Sequence, residues 1–204
     1  MNSTSGSASF SEEKPLLRRT SFLLGVLLAV FATAGSAKVY YSKKEAMELA
    51  FGPEAAVEMR PLFLTDVQRR AIERLGRVKL DSSLYTFYVG KRDGRIVGYA
   101  AIETHTVRTK PETLLIVLNP DGQVRDVVVL AFHEPPEYQP PEPWFRQLAG
   151  KPVAALRVGG EVDGVSGATL SVRGTLESVR KVLAIYEIAL SGRKTPVTVA
   201  AGGE

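Results

Sequence analysis

The chain predicts an α+β domain, an antiparallel sheet of two hairpins packed against helices, preceded by an N-terminal membrane or signal segment. Three observations lead there. Period-two apolar runs fill the middle of the sequence and meet at two turn signals, Arg92-Asp93-Gly94 and Asn119-Pro120-Asp121-Gly122. Segments with helical apolar spacing lie before and after this block. Ahead of them all, Phe22 to Ala37 runs without a charge behind a basic flank of Lys14, Arg18 and Arg19.

With 204 residues, 45% of them hydrophobic, the chain can bury one core, so a single domain with terminal extensions is expected. The net charge is +4, from 26 Lys+Arg against 22 Asp+Glu, and the basic residues are scattered along the chain, which argues against nucleic acid as a partner. The absence of cysteine excludes disulfides, thiolate zinc sites, cysteine-ligated iron–sulfur clusters and attached c-type haem. Two histidines, His105 and His133, are too few for most metal sites, and both read as surface or pocket-edge residues.

The elements follow in order. Residues 1–20 form a polar, then basic, N-terminal region, and 21–41 a transmembrane anchor or signal peptide. The apolar run "FLLGVLLAVFATAGSA" is shorter than the roughly 20 residues that span a bilayer comfortably. Its end, "AGSA", suits a signal peptidase, so cleavage near Ala37 and retention as a short tilted anchor both remain open. Either fate puts residues 42–192 on the periplasmic or extracytoplasmic side. Ser42 caps a short helix through Phe51, stopped by Gly52-Pro53, and Thr65-Asp66 precedes a second helix ending at Gly76. From Leu84 the period becomes two, giving one hairpin across Arg92-Asp93-Gly94 and another from Glu112 to Phe132, with one face of their sheet packed on helices. Glu134 to Pro143, "EPPEYQPPEP", reads as an extended stiff loop, because proline removes donors and restricts its neighbour. Trp144 and Phe145 begin a helical turn, belong to the core, and end with it at Gly150. Leu170, Leu176, Val179, Leu183, Tyr186 and Leu190 then share one face of a long helix ended by Ser191-Gly192, and 193–204 is a flexible tail.

Between these last two helices lies "VDGVSGATLS", Val162 to Ser171. Gly164 and Gly167 permit positive φ and close backbone approach, while Ser166 and Ala168 keep the surroundings open. Thr169 falls near the first position of the final helix, where unpaired N–H groups favour an anion such as phosphate. On the residues alone the stretch reads first as a glycine turn with Ser166 or Thr169 capping the helix and no ligand involved.

The run Asp163-Gly164-Val165-Ser166-Gly167-Ala168-Thr169-Leu170-Ser171 resembles the flavinylation motif of the FMN-binding domain family, which includes the periplasmic flavin subunits of sodium-pumping NADH:quinone reductase and of Rnf-type ferredoxin:NAD oxidoreductase. The resemblance extends over "GRIVGYA", "DGQVRDVVVL" and "HEPPEY…WFRQLAGK". It implies FMN bound covalently through a phosphodiester to Thr169, installed by a flavin transferase. It further implies a cofactor site of Asp163, Gly164, Ser166, Gly167, Ala168, Thr169, Leu170 and Ser171, with Glu134 from the proline-rich segment. The Glu-Thr-Pro-Gly segment of those two subunits is replaced here by Glu134-Pro135-Pro136-Glu137-Tyr138, the mark of a divergent member. The implied role is an electron-transfer subunit of an oxidoreductase complex at the membrane, with redox proteins or membrane oxidoreductase subunits as partners. Its alternative is a domain that kept the fold for binding or assembly without flavin. No paired carboxylates and no nucleophile–base arrangement point to a stand-alone enzyme.

Overall fold

The computed structural model describes residues 38–192. The expected N-terminal anchor or signal segment and the tail from 193 lie outside the described residues, apart from Lys38 to Tyr41. Those four join the fold: Lys38–Val39 forms a short strand, β1, paired with Phe132 and Ala131, and Tyr40 N–H donates to Leu130 O.

The sheet has six strands in the order β1-β6-β5-β4-β3-β2, every neighbouring pair antiparallel. The strands are β2 (Ala56–Phe63), β3 (Leu84–Arg92), β4 (Arg95–Thr106), β5 (Pro111–Leu118) and β6 (Val124–Phe132). Both expected hairpins are present and pair with each other through β4 and β5, with Tyr99 opposite Leu118 and His105 opposite Glu112. The first turns on Asp93 and Gly94, both at positive φ (51° and 73°), the geometry whose twist matches antiparallel strands. The expected pair of hairpins lacked two edge strands. β2 reads poorly because it is largely exposed on both sides and carries Pro61, which only an edge strand tolerates.

Helices cover both faces, where the sequence predicts one. α1 (Lys43–Phe51), with Ser42 and Glu45 in a reciprocal capping box, sets Ala46, Met47, Ala50 and Phe51 against Ala100, Leu115, Val117 and Leu130. On the other face α2 (Asp66–Gly76) and α4 (Thr169–Ile185) pack on Phe87, Val89, Tyr99, Ala101, Leu114, Ile116 and Leu118. β5 is thus buried on both sides, and its alternate residues divide between two cores. Each fully buried Leu or Ile there contributes about 1.5–3 kcal/mol relative to exposure.

The proline-rich stretch is less extended than predicted. Pro136–Tyr138 forms a 3₁₀ turn and Glu142–Phe145 a short helix, α3, each with proline where its fixed φ suits a first helical turn. Trp144 and Phe145 are buried, as expected, with rings 5.1 Å apart edge to face. α4 continues into a π-helical turn, Tyr186–Leu190.

Candidate functional site

The loop before α4 is held from below by α3 and the turn after it. Trp144 Nε1 donates to Asp163 O (2.8 Å), and Asp163 N–H donates to Gln147 Oε1 (3.1 Å). Asp163 therefore secures the loop through its backbone, while its side chain stays at the surface. Of the two glycines expected at positive φ only Gly167 has it, at 84°. Gly164 lies elsewhere in φ/ψ space, and a Cβ there would meet Val158 at 3.4 Å.

Ala168 is the N-cap of α4, with no side-chain hydrogen bond to the first turn. Neither Ser166 nor Thr169 caps the helix, so the simplest explanation for hydroxyls in this loop is not realised. No side chain caps the first turn, and an uncapped helix start favours an anion. Thr169 is the first residue of the helix and is exposed. Leu170, predicted on the buried face, is 47% exposed beside it, because α4 turns its sheet-facing stripe through Val172, Leu176, Val179 and Leu183 instead.

A cavity of about 140 Å³ opens against this turn, lined by Gly167 to Ser171 and by Val107, Arg108 and Tyr138. Arg108 carries no motif and is not identifiable from sequence, whereas Tyr138 closes the segment that stands in place of Glu-Thr-Pro-Gly. The Arg108 guanidinium lies over the Tyr138 ring at 4.6 Å, and the buried Ser171 Oγ donates to Tyr138 O at 2.5 Å. The 3₁₀ turn is thereby tied to the first turn of α4.

Glu134 does not line the cavity. Its Oε1 accepts from Thr109 N–H (2.6 Å), Lys110 N–H (2.8 Å), Arg108 N–H (3.3 Å) and Thr109 Oγ1 (3.2 Å), closing the turn between β4 and β5. These bonds, led by that from Thr109 N–H, hold its carboxyl below the usual range. Glu134 acts on the site through Arg108, whose backbone it fixes.

Along α4 three hydroxyls are buried, those of Ser171, Thr175 and Ser178. Ser178 Oγ lies 3.2 Å from His105 Nδ1, and His105 Nε2 lies 3.0 Å from Oε2 of the fully buried Glu112. Gly174 makes room for the histidine ring. Farther along, Lys181 Nζ pairs with Glu103 at 2.5 Å, though burial raises the Glu103 pKa more than the lysine lowers it. Ser178 is enclosed in mid-helix, so this group braces helix against sheet and offers no nucleophile. His133 Nδ1 lies 3.1 Å from Pro111 O. No cluster of three or more His, Cys, Asp or Glu suited to a metal occurs among the described residues.

The structure thus brings Gly167, Ala168, Thr169, Leu170 and Ser171 to one small cavity, keeps Asp163, Gly164 and Ser166 in the loop leading to it, and sets Glu134 behind Arg108. An exposed hydroxyl, an uncapped helix start and a guanidinium on one rim can accept a phosphate and its ester. No curated protein matches the chain. The stretch from Tyr85 to Ala184, which holds every residue lining this cavity, matches the family model of the FMN-binding domain, so this part of the chain is identified as flavin-binding.

Proposed function

We propose that the protein is an exported electron-transfer flavoprotein, with FMN held by a phosphodiester to the Thr169 hydroxyl, relaying electrons between membrane or extracytoplasmic redox partners. The observation that carries this reading is the exposed Thr169 at the uncapped start of α4, on the rim of a cavity shared with Arg108. The esterified phosphate would retain one negative charge, which the first helical turn favours by about 0.3–1 kcal/mol and the Arg108 guanidinium complements.

Cavity size supports a covalent link. At about 140 Å³ the space is well below the roughly 300 Å³ at which sites enclosing a small organic ligand begin. It suits a phosphate and the carbons next to it, leaving the flavin ring outside. Retention then falls to a bond, which keeps the site occupied outside the cytoplasm whatever the affinity. Bound FMN would supply the redox chemistry. The chain's own residues orient the tail: Ser171 secures Tyr138, Tyr138 underlies Arg108, and Glu134 fixes the Arg108 backbone. Export rests on the charge-free run Phe22 to Ala37 and suits a chain without cysteine. Among the described residues no helix is long and apolar enough to cross a membrane, so any anchor would be that run.

Coexpression with a flavin transferase followed by intact mass tests the reading. The wild-type chain should gain one FMN less water, Thr169→Ala none, and Ser166→Ala the full increment. An unmodified wild-type mass would favour a binding or assembly domain without flavin.

A further inference from the structure

Arg180 lies eleven residues beyond Thr169, about 16 Å along the axis of α4 at 1.5 Å per residue, and it belongs to a second cavity. This one has a volume of about 390 Å³, and Arg74, Arg77, Arg157 and Arg180 line it together with apolar walls that include Leu75 and Val153. None of the four arginines makes an ion pair among the described residues. Glu177 is the acidic residue acting on Arg180, and Glu73 is engaged with Leu80 N–H at 3.0 Å, so cations dominate the site.

Two features set it apart from a solvated basic face. Arg180 is partly buried and held in one orientation, its Nε donating to Gly76 O and its Nη1 to Leu156 O, both at 2.9 Å. Burial lowers its pKa, with Glu177 acting against that shift and Arg77 adding to it. Arg77 itself occupies the left-handed region, φ 50° and ψ 48°, at the C-cap of α2. Glycine adopts that conformation without strain, so Arg77→Gly removes the guanidinium without disturbing the backbone.

We propose that this cavity binds a phosphate-bearing ligand with at least two negative charges, recognised by guanidinium forks, with the apolar walls facing its less polar portion. Arginine is the suitable cation, since its planar donors match phosphate oxygens in pairs and it desolvates more readily than lysine. The site is independent of the flavin reading: its residues do not touch the Thr169 cavity.

Calorimetric titration of the purified full chain with pyrophosphate at physiological ionic strength should show saturable binding of one ligand. Arg157→Gln and Arg77→Gly should each weaken it by about tenfold or more, the scale of a charge-assisted contact, and Arg95→Gln at the start of β4 should leave it unchanged. Arg77→Gly should raise the melting temperature while lowering affinity, which separates lost binding from lost folding. A parallel arm with phosphatidylcholine vesicles, with and without phosphatidic acid, identifies the source. Recruitment that needs phosphatidic acid and is lost in Arg77→Gly assigns a lipid headgroup, and pyrophosphate binding without recruitment assigns a soluble ligand. Absence of saturable binding in both arms, or an equal loss in Arg95→Gln, would overturn the proposal.

Discussion

Gly174 in mid-α4 offers a substitution on which local propensity and tertiary structure disagree in sign. Alanine is favoured over glycine in a helix interior by about 1 kcal/mol, so propensity alone expects Gly174→Ala to stabilise. In the folded protein a Cβ at this position would lie 2.3 Å from His105 Cδ2 and Nε2, well inside contact distance. The ring has little freedom to move, because Nε2 pairs with Glu112 at 3.0 Å and Nδ1 lies 3.2 Å from Ser178 Oγ. Displacing it would take the ring away from the fully buried Glu112 carboxyl. Leaving a buried polar group without its neighbour and overpacking the helix–sheet contact together cost about 3–5 kcal/mol. The net expectation is a loss of about 2–4 kcal/mol, read as a fall in melting temperature of roughly 4–16 °C for a domain of this size. Thermal and urea denaturation followed by circular dichroism measure it. A variant as stable as wild type, or more so, would refute the inference that His105 is locked between α4 and Glu112.

Further predictions follow from the same geometry. Ser171→Ala removes the donor to Tyr138 O and should cost about 1–3 kcal/mol by urea denaturation. If Tyr138 and Arg108 are positioned through that bond, the variant should also slow FMN attachment in a timed mass assay. Glu134 has a folded pKa held below its ordinary 4.5 by N–H donors, so its stabilising contribution is complete above that value and is lost as pH falls through the depressed one. Glu134→Gln should flatten the acid limb of stability below pH about 4.5, and an unaltered limb would contradict the assignment. Gly122→Ala would set a Cβ 2.0 Å from the Tyr186 ring at a φ of +90°, and overpacking with left-handed strain should cost about 2–5 kcal/mol in denaturant titration.

Residues whose signals are local were legible from sequence. The hairpin turns declare themselves because Asp93, Gly94 and Gly122 take up backbone conformations that few other residues accept. The starts of α1 and α2 show in Ser42 and Thr65, whose side chains satisfy N–H groups three residues away. The run Asp163 to Ser171 has a signal of the same kind, since a turn, a helix start and a hydroxyl fall within nine consecutive residues. β2 was not legible: an exposed edge strand buries neither face, so no alternation marks it.

What the sequence by itself determined is thus the α+β class, the two central hairpins and Thr169 at the head of the last helix. The tertiary structure alone decided which distant residues meet that threonine. Arg108 reaches the cavity because the β4–β5 turn, closed by Glu134, stands beside α4, and Tyr138 because Ser171 draws the 3₁₀ turn onto the helix. The four arginines of the second cavity come from α2, the turn after it, the loop following Val153–Ala155 and α4. The reason is physical: a cap or turn is satisfied within a few residues and leaves its pattern in the chain, whereas a cavity wall is set by the packing of elements far apart in sequence.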